Sequence, residues 1–255
     1  SAAFFLVAAA LVPGSAVTIR NVGCNPTRNG IVEILRRMGA SIEIFNQRAA
    51  AGEKVADFEV VGSKLNGIEV GAEWVARTID EYPILAIAAA VADGVTIFSD
   101  VKELRYKESD RIAAMTEGLR TLGVQVDERT DGMTIHGGAR LKGGAVRSFA
   151  DHRIAMSFAI AALVSDTAVE IAGGSHHVSV ERLKTDRSQF AVRMNGCSYV
   201  TIRDAVATNS LVRLASAPPT NSAPQEAVFP DGTKIKLPPR RDPRVHRHAP
   251  QAPSR

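Results

Sequence analysis

The sequence is poor in cysteine, in aromatic residues and in long apolar runs, and each shortage removes a class of protein. Cys24 and Cys197 are the only cysteines, too few for a disulfide framework, so a reducing cytoplasm is the expected setting. Aromatics make up 5% of the chain, which suits tightly packed α/β layers of alanine, valine and isoleucine better than an aromatic recognition surface. The opening run from Phe4 to Val12 has no basic leader and falls short of the ~20 apolar residues of a membrane span. It reads as a buried helix entered part-way, and a missing upstream portion is expected. An excess of one charge is absent over most of the length as well. The seven Lys/Arg and three Asp/Glu from Ala215 onward account for the whole net charge of +4. What is present, 45% hydrophobic and 23% charged residues in 255, is enough for one large core or two modest ones and excludes wholesale disorder.

The basic end also holds nine of the twelve prolines, between Pro218 and Pro253. Such a segment buries too little apolar surface to offset its ordering entropy, so residues 215–255 are expected to be a disordered tail. No nucleic-acid partner is expected. The alternative is a non-catalytic module that binds a polyanion through Lys234 to Arg247, with salt-sensitive affinity.

Three stretches repeat one pattern of an alanine-rich helix, a polar turn and a β-branched strand. They end at Val17-Thr18-Ile19, Val95-Thr96-Ile97 and Val169-Glu170-Ile171. The first two continue into an amphipathic helix stopped by glycine and then a strand, Ile31 to Gly39 before Ser41–Ile44 and Ile112 to Gly123 before Val124–Val126. Apolar spacing near 3.6 with a glycine stop predicts the helices, and alternation predicts the strands. The near-even spacing fits three copies of one unit about a pseudo-threefold axis. After the third strand the pattern lapses into Lys184-Thr185-Asp186-Arg187-Ser188-Gln189.

Charged clusters stand at the mouths of three apolar helices. Asp80-Glu81-Tyr82-Pro83 opens the first, with Pro83 suited to the initial turn and the acids favoured by the helix dipole. Lys107-Glu108-Ser109-Asp110-Arg111 opens the second, where Ser109 or Asp110 can cap and Lys107, Glu108 and Arg111 can converge. Asp151-His152-Arg153 opens the third. Each alone reads as a capped or solvated helix start. Together, about a pseudo-threefold, they point helix N-termini and guanidinium groups at one centre. That composition suits phosphate and carboxylate groups, with Asp80 and Glu108 as candidate proton handlers.

These runs, with Asn25-Pro26-Thr27-Arg28 and Arg37-Met38-Gly39-Ala40, resemble the signatures of the 5-enolpyruvylshikimate-3-phosphate (EPSP) synthase family. The Asp-Glu-Tyr-Pro form is similar to the class that includes glyphosate-tolerant members. The resemblance implies an α/β fold, the inside-out barrel domain of repeated βαβαββ units, here with the third unit incomplete. It implies transfer of the enolpyruvyl group of phosphoenolpyruvate to shikimate 3-phosphate, without metal or organic cofactor. By the same resemblance Asp80 holds and deprotonates the attacking hydroxyl and Glu108 protonates the methylene carbon. Lys107 contacts shikimate 3-phosphate, Arg111 and Arg153 clamp phosphoenolpyruvate, and His152 is a neighbour. The related UDP-N-acetylglucosamine enolpyruvyl transferase is the alternative enzyme.

The resemblance divides the chain into residues 1–180, a C-terminal domain lacking its upstream domain, residues 181–214, divergent or foreign, and the tail 215–255. The missing domain carries further cation contacts in this family, so the isolated chain is expected to be inactive, and a separate N-terminal half is a possible partner. The family's Ser-Phe-Pro-like segment has no counterpart near Ser175 to Arg182, which a frame change or a fused end would explain. His176-His177 has no acid or cysteine at ligand spacing, so no metal site is expected there.

Overall fold

The computed structural model describes residues 2–50 and 52–173 in full, and further on only the backbone of short strands between Val178 and Leu237. The expectations for residues 181–214, the tail and His176-His177 therefore lie outside the described side chains. The first unit runs α1 (Ala3–Leu11), β1 (Ala16–Gly23), α2 (Gly30–Arg37), β2 (Ser41–Ala50) and β3 (Glu53–Val61). The second runs β4 (Glu69–Val70), α3 (Val75–Thr78), α4 (Tyr82–Val91), β5 (Val95–Phe98), α5 (Arg111–Thr121), β6 (Gln125–Arg129) and β7 (Gly132–His136). The third starts β8 (Gly144–Arg147), α6 (His152–Ala161) and β9 (Val169–Ala172).

The repeat read in the sequence is a repeat of topology. The first sheet is ordered β1-β3-β2 and the second β4-β5-β7-β6, so β1, β2 and β3 correspond to β5, β6 and β7. In both units the last strand lies between the other two and pairs antiparallel with each. The parallel pairs β4/β5 and β8/β9 are joined through α4 and α6, as a crossover connection requires. The second unit thus shows βαβαββ entire.

Side chains repeat as well. Arg36 at the end of α2 donates from Nε and Nη2 to the Ile42 carbonyl at 3.2 and 2.6 Å. Arg120 at the end of α5 does the same to the Val126 carbonyl at 3.0 and 2.7 Å. Between helix and strand in each case stands a glycine at positive φ, Gly39 at 102° and Gly123 at 88°, where a Cβ would be strained.

The alanine-rich helices α1, α4 and, beyond its charged first turn, α6 have little polar surface to offer water, so they form the buried centre and pack on one another with the sheets around them. Small side chains let the axes approach closely. Helices α5 and α6 also meet closely: a Cβ built on Gly118 would lie 2.1 Å from Phe158 Cζ. Tyr82 and Phe98 meet edge to face at 5.2 Å, locking the start of α4 to β5. No helix among the described residues is long and apolar enough to cross a membrane.

Candidate active site

The three charged motifs come together because α4, α5 and α6 pack side by side and each starts at the same end of the bundle. Pro83 occupies the first turn of α4, leaving Asp80 and Glu81 just ahead of it. Burial pushes the Glu81 carboxyl above its ordinary pKa; Arg153 opposes this and the Asp80 charge adds to it. A 3-10 turn, Lys102–Tyr106, delivers Lys107 and Glu108. Asp110 then caps α5 by accepting the Ala113 N–H at 3.0 Å. Asp151 caps α6 by accepting the Arg153 N–H at 2.8 Å.

The approach to Asp151 is strained. Phe149 and Ala150 are consecutive residues at φ of 52° and 59°, a region costly for any residue with a Cβ. Hydrogen bonds hold them there: Ser148 N–H to the Ala172 carbonyl at 2.6 Å, Ala150 N–H to the Gly173 carbonyl at 2.8 Å, and Asp151 N–H to the Ser148 carbonyl at 2.9 Å. The result is a sharp turn that drives the Asp151 carboxylate inward.

There it meets Arg111, fully buried like Asp151 itself. The Arg111 guanidinium joins all three motifs. Its Nε donates to Asp151 at 2.8 Å, its Nη2 to Glu108 at 2.5 Å and its Nη1 to Asp80 at 3.2 Å. Arg153 closes the other side of Asp80, donating to its carboxylate at 3.1 Å and to its backbone carbonyl at 3.2 Å. The Ser109 hydroxyl adds a bond to Asp151 at 3.1 Å. Burial works against the Arg111 charge, yet the bond and charge of Asp151, with Glu108 and Asp80, outweigh it and raise the guanidinium pKa further. Burial likewise opposes ionisation of Asp151, and Arg111, the Arg153 N–H and Ser109 overcome it, holding that carboxyl below its usual range.

Geometry thus gathers Asp80, Glu108, Arg111 and Arg153, as the sequence predicts, but not by the threefold equivalence expected: the Asp80 and Glu108 clusters open α4 and α5 of one unit, and the Arg153 cluster opens α6 of the next. The expected convergence of Lys107 with Glu108 and Arg111 is not what the fold shows. Lys107 turns back along the 3-10 turn and pairs with Glu103, an acid four residues earlier that satisfies it locally. His152 is exposed on the first turn of α6. Two members were missed in the sequence. Asp151 is a buried strut as well as a cap. Arg105 braces the loop that carries Glu108, reaching Asp110 at 2.8 Å, Glu128 at 3.0 Å and the Thr130 carbonyl at 2.8 Å. Their only advance signal was membership of the charged runs.

Chemically, the arrangement offers two carboxylates from different segments, with side chains 44% and 53% exposed for Asp80 and Glu108, standing on one buried guanidinium. Two carboxylates held on one guanidinium, with a second guanidinium beside them, suit a reaction that moves protons on an anionic substrate.

The description that matches this chain, over residues 1–180, is that of EPSP synthase (3-phosphoshikimate 1-carboxyvinyltransferase). The 3-phosphoshikimate 1-carboxyvinyltransferase of Geobacter sulfurreducens is 54% identical over 171 residues, 67% of this chain and 40% of the relative. That of Synechococcus elongatus is 58% identical over 163 residues, covering 64% and 36%. Among solved structures, EPSP synthase from Acinetobacter baumannii matches with a TM-score of 0.63 at 45% identity, covering 64% of this chain and 39% of that one. The enolpyruvyl transferase NikO from Streptomyces tendae, at a TM-score of 0.50 and 20% identity over 64% and 35%, shares the fold. The chain spans about 40% of the length of the curated relatives it matches.

Proposed function

Because the chain belongs to the EPSP synthase family, we propose that it carries the proton-handling part of a site that transfers the enolpyruvyl group of phosphoenolpyruvate to shikimate 3-phosphate. The observation that carries this reading is the shared Arg111 contact, which binds Asp80 and Glu108 from separate segments into one pair. Asp80 holds the attacking hydroxyl and takes its proton as the new C–O bond forms at the enol carbon. Glu108 delivers a proton to the methylene carbon. Elimination then reverses the second transfer: the methyl carbon loses a proton, the double bond returns and the phosphate C–O bond breaks, phosphate leaving with the proton the hydroxyl gave up. Every step is a proton transfer coupled to a two-electron bond change, so the reading needs no cofactor.

Arg153 is assigned to the anionic groups of phosphoenolpyruvate, Lys107 to shikimate 3-phosphate and His152 to the rim; Arg111, fully buried with its nitrogens on Asp151, Glu108 and Asp80, joins them only where substrate displaces one of those carboxylates. Among the described residues Lys107 is held by an ion pair with the exposed Glu103, worth about 0–1 kcal/mol, which a phosphate would readily displace. We assign residues 1–180 to the transferase domain, residues 181–214 to a divergent segment and 215–255 to a tail, and place the protein in the cytoplasm. The Asp-Glu-Tyr-Pro form at residues 80–83 supports membership of the class with glyphosate-tolerant members.

The test combines the full chain with a separately expressed upstream half of a related 3-phosphoshikimate 1-carboxyvinyltransferase and follows phosphate release from the two substrates. The chain alone is expected to give no turnover, since each absent anion-binding donor costs about 3 kcal/mol of transition-state stabilisation. The mixture regains turnover, and Asp80→Asn or Glu108→Gln lowers kcat by about 10²–10⁴-fold. Normal rates from the chain alone, or from both variants, overturn the assignment.

A further inference from the structure

The motif Asn25-Pro26-Thr27-Arg28 takes no part in the cluster around Arg111, yet it is tied to the segment that ends in Asp80, and the tie is one side chain. Arg77 lies in the last turn of α3, three residues before Asp80. Its Nε donates to the Pro26 carbonyl at 2.9 Å and its Nη2 to Asn29 Oδ1 at 2.6 Å. Both terminal nitrogens also engage the Glu33 carboxylate, Nη1 at 3.3 Å. The acceptors form a firm wall. Asn25 Oδ1 accepts the Thr27 N–H at 3.0 Å and its hydroxyl at 2.8 Å, and the Arg28 N–H closes the turn on the Asn25 carbonyl at 2.9 Å.

Behind Arg77, the seam is packed without slack. A Cβ on Gly30, at the start of α2, would stand 2.5 Å from Thr78 Cγ2 and 3.0 Å from Arg77 Cβ. Thr78 is buried, its hydroxyl bonds the Trp74 carbonyl at 2.5 Å, and its own carbonyl accepts the Glu81 N–H at 2.8 Å. Asp80 therefore sits in a turn closed from Thr78 to Glu81. The turn is fastened on one side by Arg77 and on the other by Arg111 and Arg153.

We propose that Arg77 is a positioning residue for Asp80: its guanidinium fork fixes α3 to the Asn25–Gly30 loop and so sets where the Asp80 carboxylate meets Arg111 and Arg153. The idea rests on the transferase reading only for its consequence in turnover. A lysine cannot replace the fork, because one ammonium cannot present parallel N–H groups to a carboxylate, an amide and a carbonyl together.

The direct test uses the full chain with 15N-labelled arginine and follows the Nε–Hε resonances of Arg111 and Arg153. In Arg77→Met, and nearly as much in Arg77→Lys, both resonances are expected to shift and to exchange with water at least about tenfold faster, while Arg37→Met leaves them in place. Arg37 and Arg77 both lie over the Trp74 ring, 5.4 and 5.6 Å from its centroid, so Arg37→Met removes a cation from that ring without removing the bonds of Arg77 to the loop. Should Arg77→Met fail to fold, Gly30→Ala, which wedges the seam apart with Arg77 intact, is read in its place. Unmoved resonances in the folded variant overturn the proposal. In the reconstituted phosphate-release assay the same variant lowers kcat at least about tenfold with KM nearly unchanged, and an equal loss in both, or none, counts against positioning. Resonances that move while no combination of halves turns over overturn the transferase reading and leave the positioning intact.

Discussion

Replacing Asp151 with alanine tests the architecture at the point where it bears most. The carboxylate is fully buried and serves three donors at once: Arg111 Nε at 2.8 Å, the Arg153 N–H at 2.8 Å and the Ser109 hydroxyl at 3.1 Å. The charge-assisted bond contributes about 1.5–3 kcal/mol, and loss of the helix cap costs about 1 kcal/mol. Arg111 would remain buried with only Asp80 and Glu108, whose half-exposed side chains compensate little of its desolvation. A total loss of about 3–5 kcal/mol follows, the range for breaking a buried pair from one side. Asp151→Asn keeps the volume and one acceptor, so about half of that loss is expected.

Urea unfolding of the full chain at neutral pH reads this directly, as a lower midpoint at unchanged m. The acid limb gives a second reading. Because the folded-state pKa of Asp151 lies below its unfolded value, its contribution is fully present above the unfolded value near 3.9. It disappears as pH falls through the lower folded value. The native chain should therefore lose stability below about pH 4, and Asp151→Ala should flatten that decline. A loss under about 1 kcal/mol, or an unaltered acid limb, would refute the view that Asp151 and Arg111 hold the three helix starts together.

Two further substitutions probe the frame around the site. Ala150→Gly relieves the positive φ of 59° at an exposed position and should stabilise the chain by about 0.5–1 kcal/mol, the strain relieved exceeding the added backbone freedom. A lower melting temperature by calorimetry would contradict it. Gly118→Ala gains about 1 kcal/mol of helix propensity but sets a methyl 2.1 Å from Phe158 Cζ. Overpacking of about 1–3 kcal/mol should win, and the double change Gly118→Ala with Phe158→Leu should recover most of the loss in urea unfolding.

Which parts of this fold can be read from the letters follows from how each element is buried. Helices α1, α4 and α6 announce themselves because an unbroken apolar run of that length has nowhere to go but the centre. Strands β1, β5 and β9 follow as their β-branched sequels. The hairpin strands β3 and β7 escape the same reading, since they lie in the middle of their sheets. Met133, Thr134 and Ile135 are buried in succession, as are Ala56, Asp57 and Phe58, so the alternation that marks a half-exposed strand is absent. In the site, Asp80 and Arg153 are legible because they stand at the starts of apolar helices, and Glu108 and Arg111 because they open an amphipathic one. The pairing of Lys107 with Glu103 is not legible, because nothing in the spacing distinguishes that acid from Glu108.

The charge balance around Arg111 bears on what the complete site must contain. Asp80, Glu108 and Asp151 set three carboxylates against the guanidinium groups of Arg111 and Arg153, and Glu81 stands close to Arg153 as well. Lys107 is neutralised by Glu103. A cluster of that balance is well suited to holding two carboxylates ready for proton transfer, and poorly suited to attracting two anionic substrates unaided. On the proposed reading, the two anionic substrates need positive charge beyond these two guanidinium groups. Phosphoenolpyruvate affinity of the full chain alone should accordingly be weak and fall steeply with salt, while the reconstituted pair binds at least about 100-fold more tightly, the gain of about 2.7 kcal/mol that one further anion-binding donor supplies. Calorimetric titration of both states decides it: equal affinity would mean that the acids and arginines gathered here already complete the anion site.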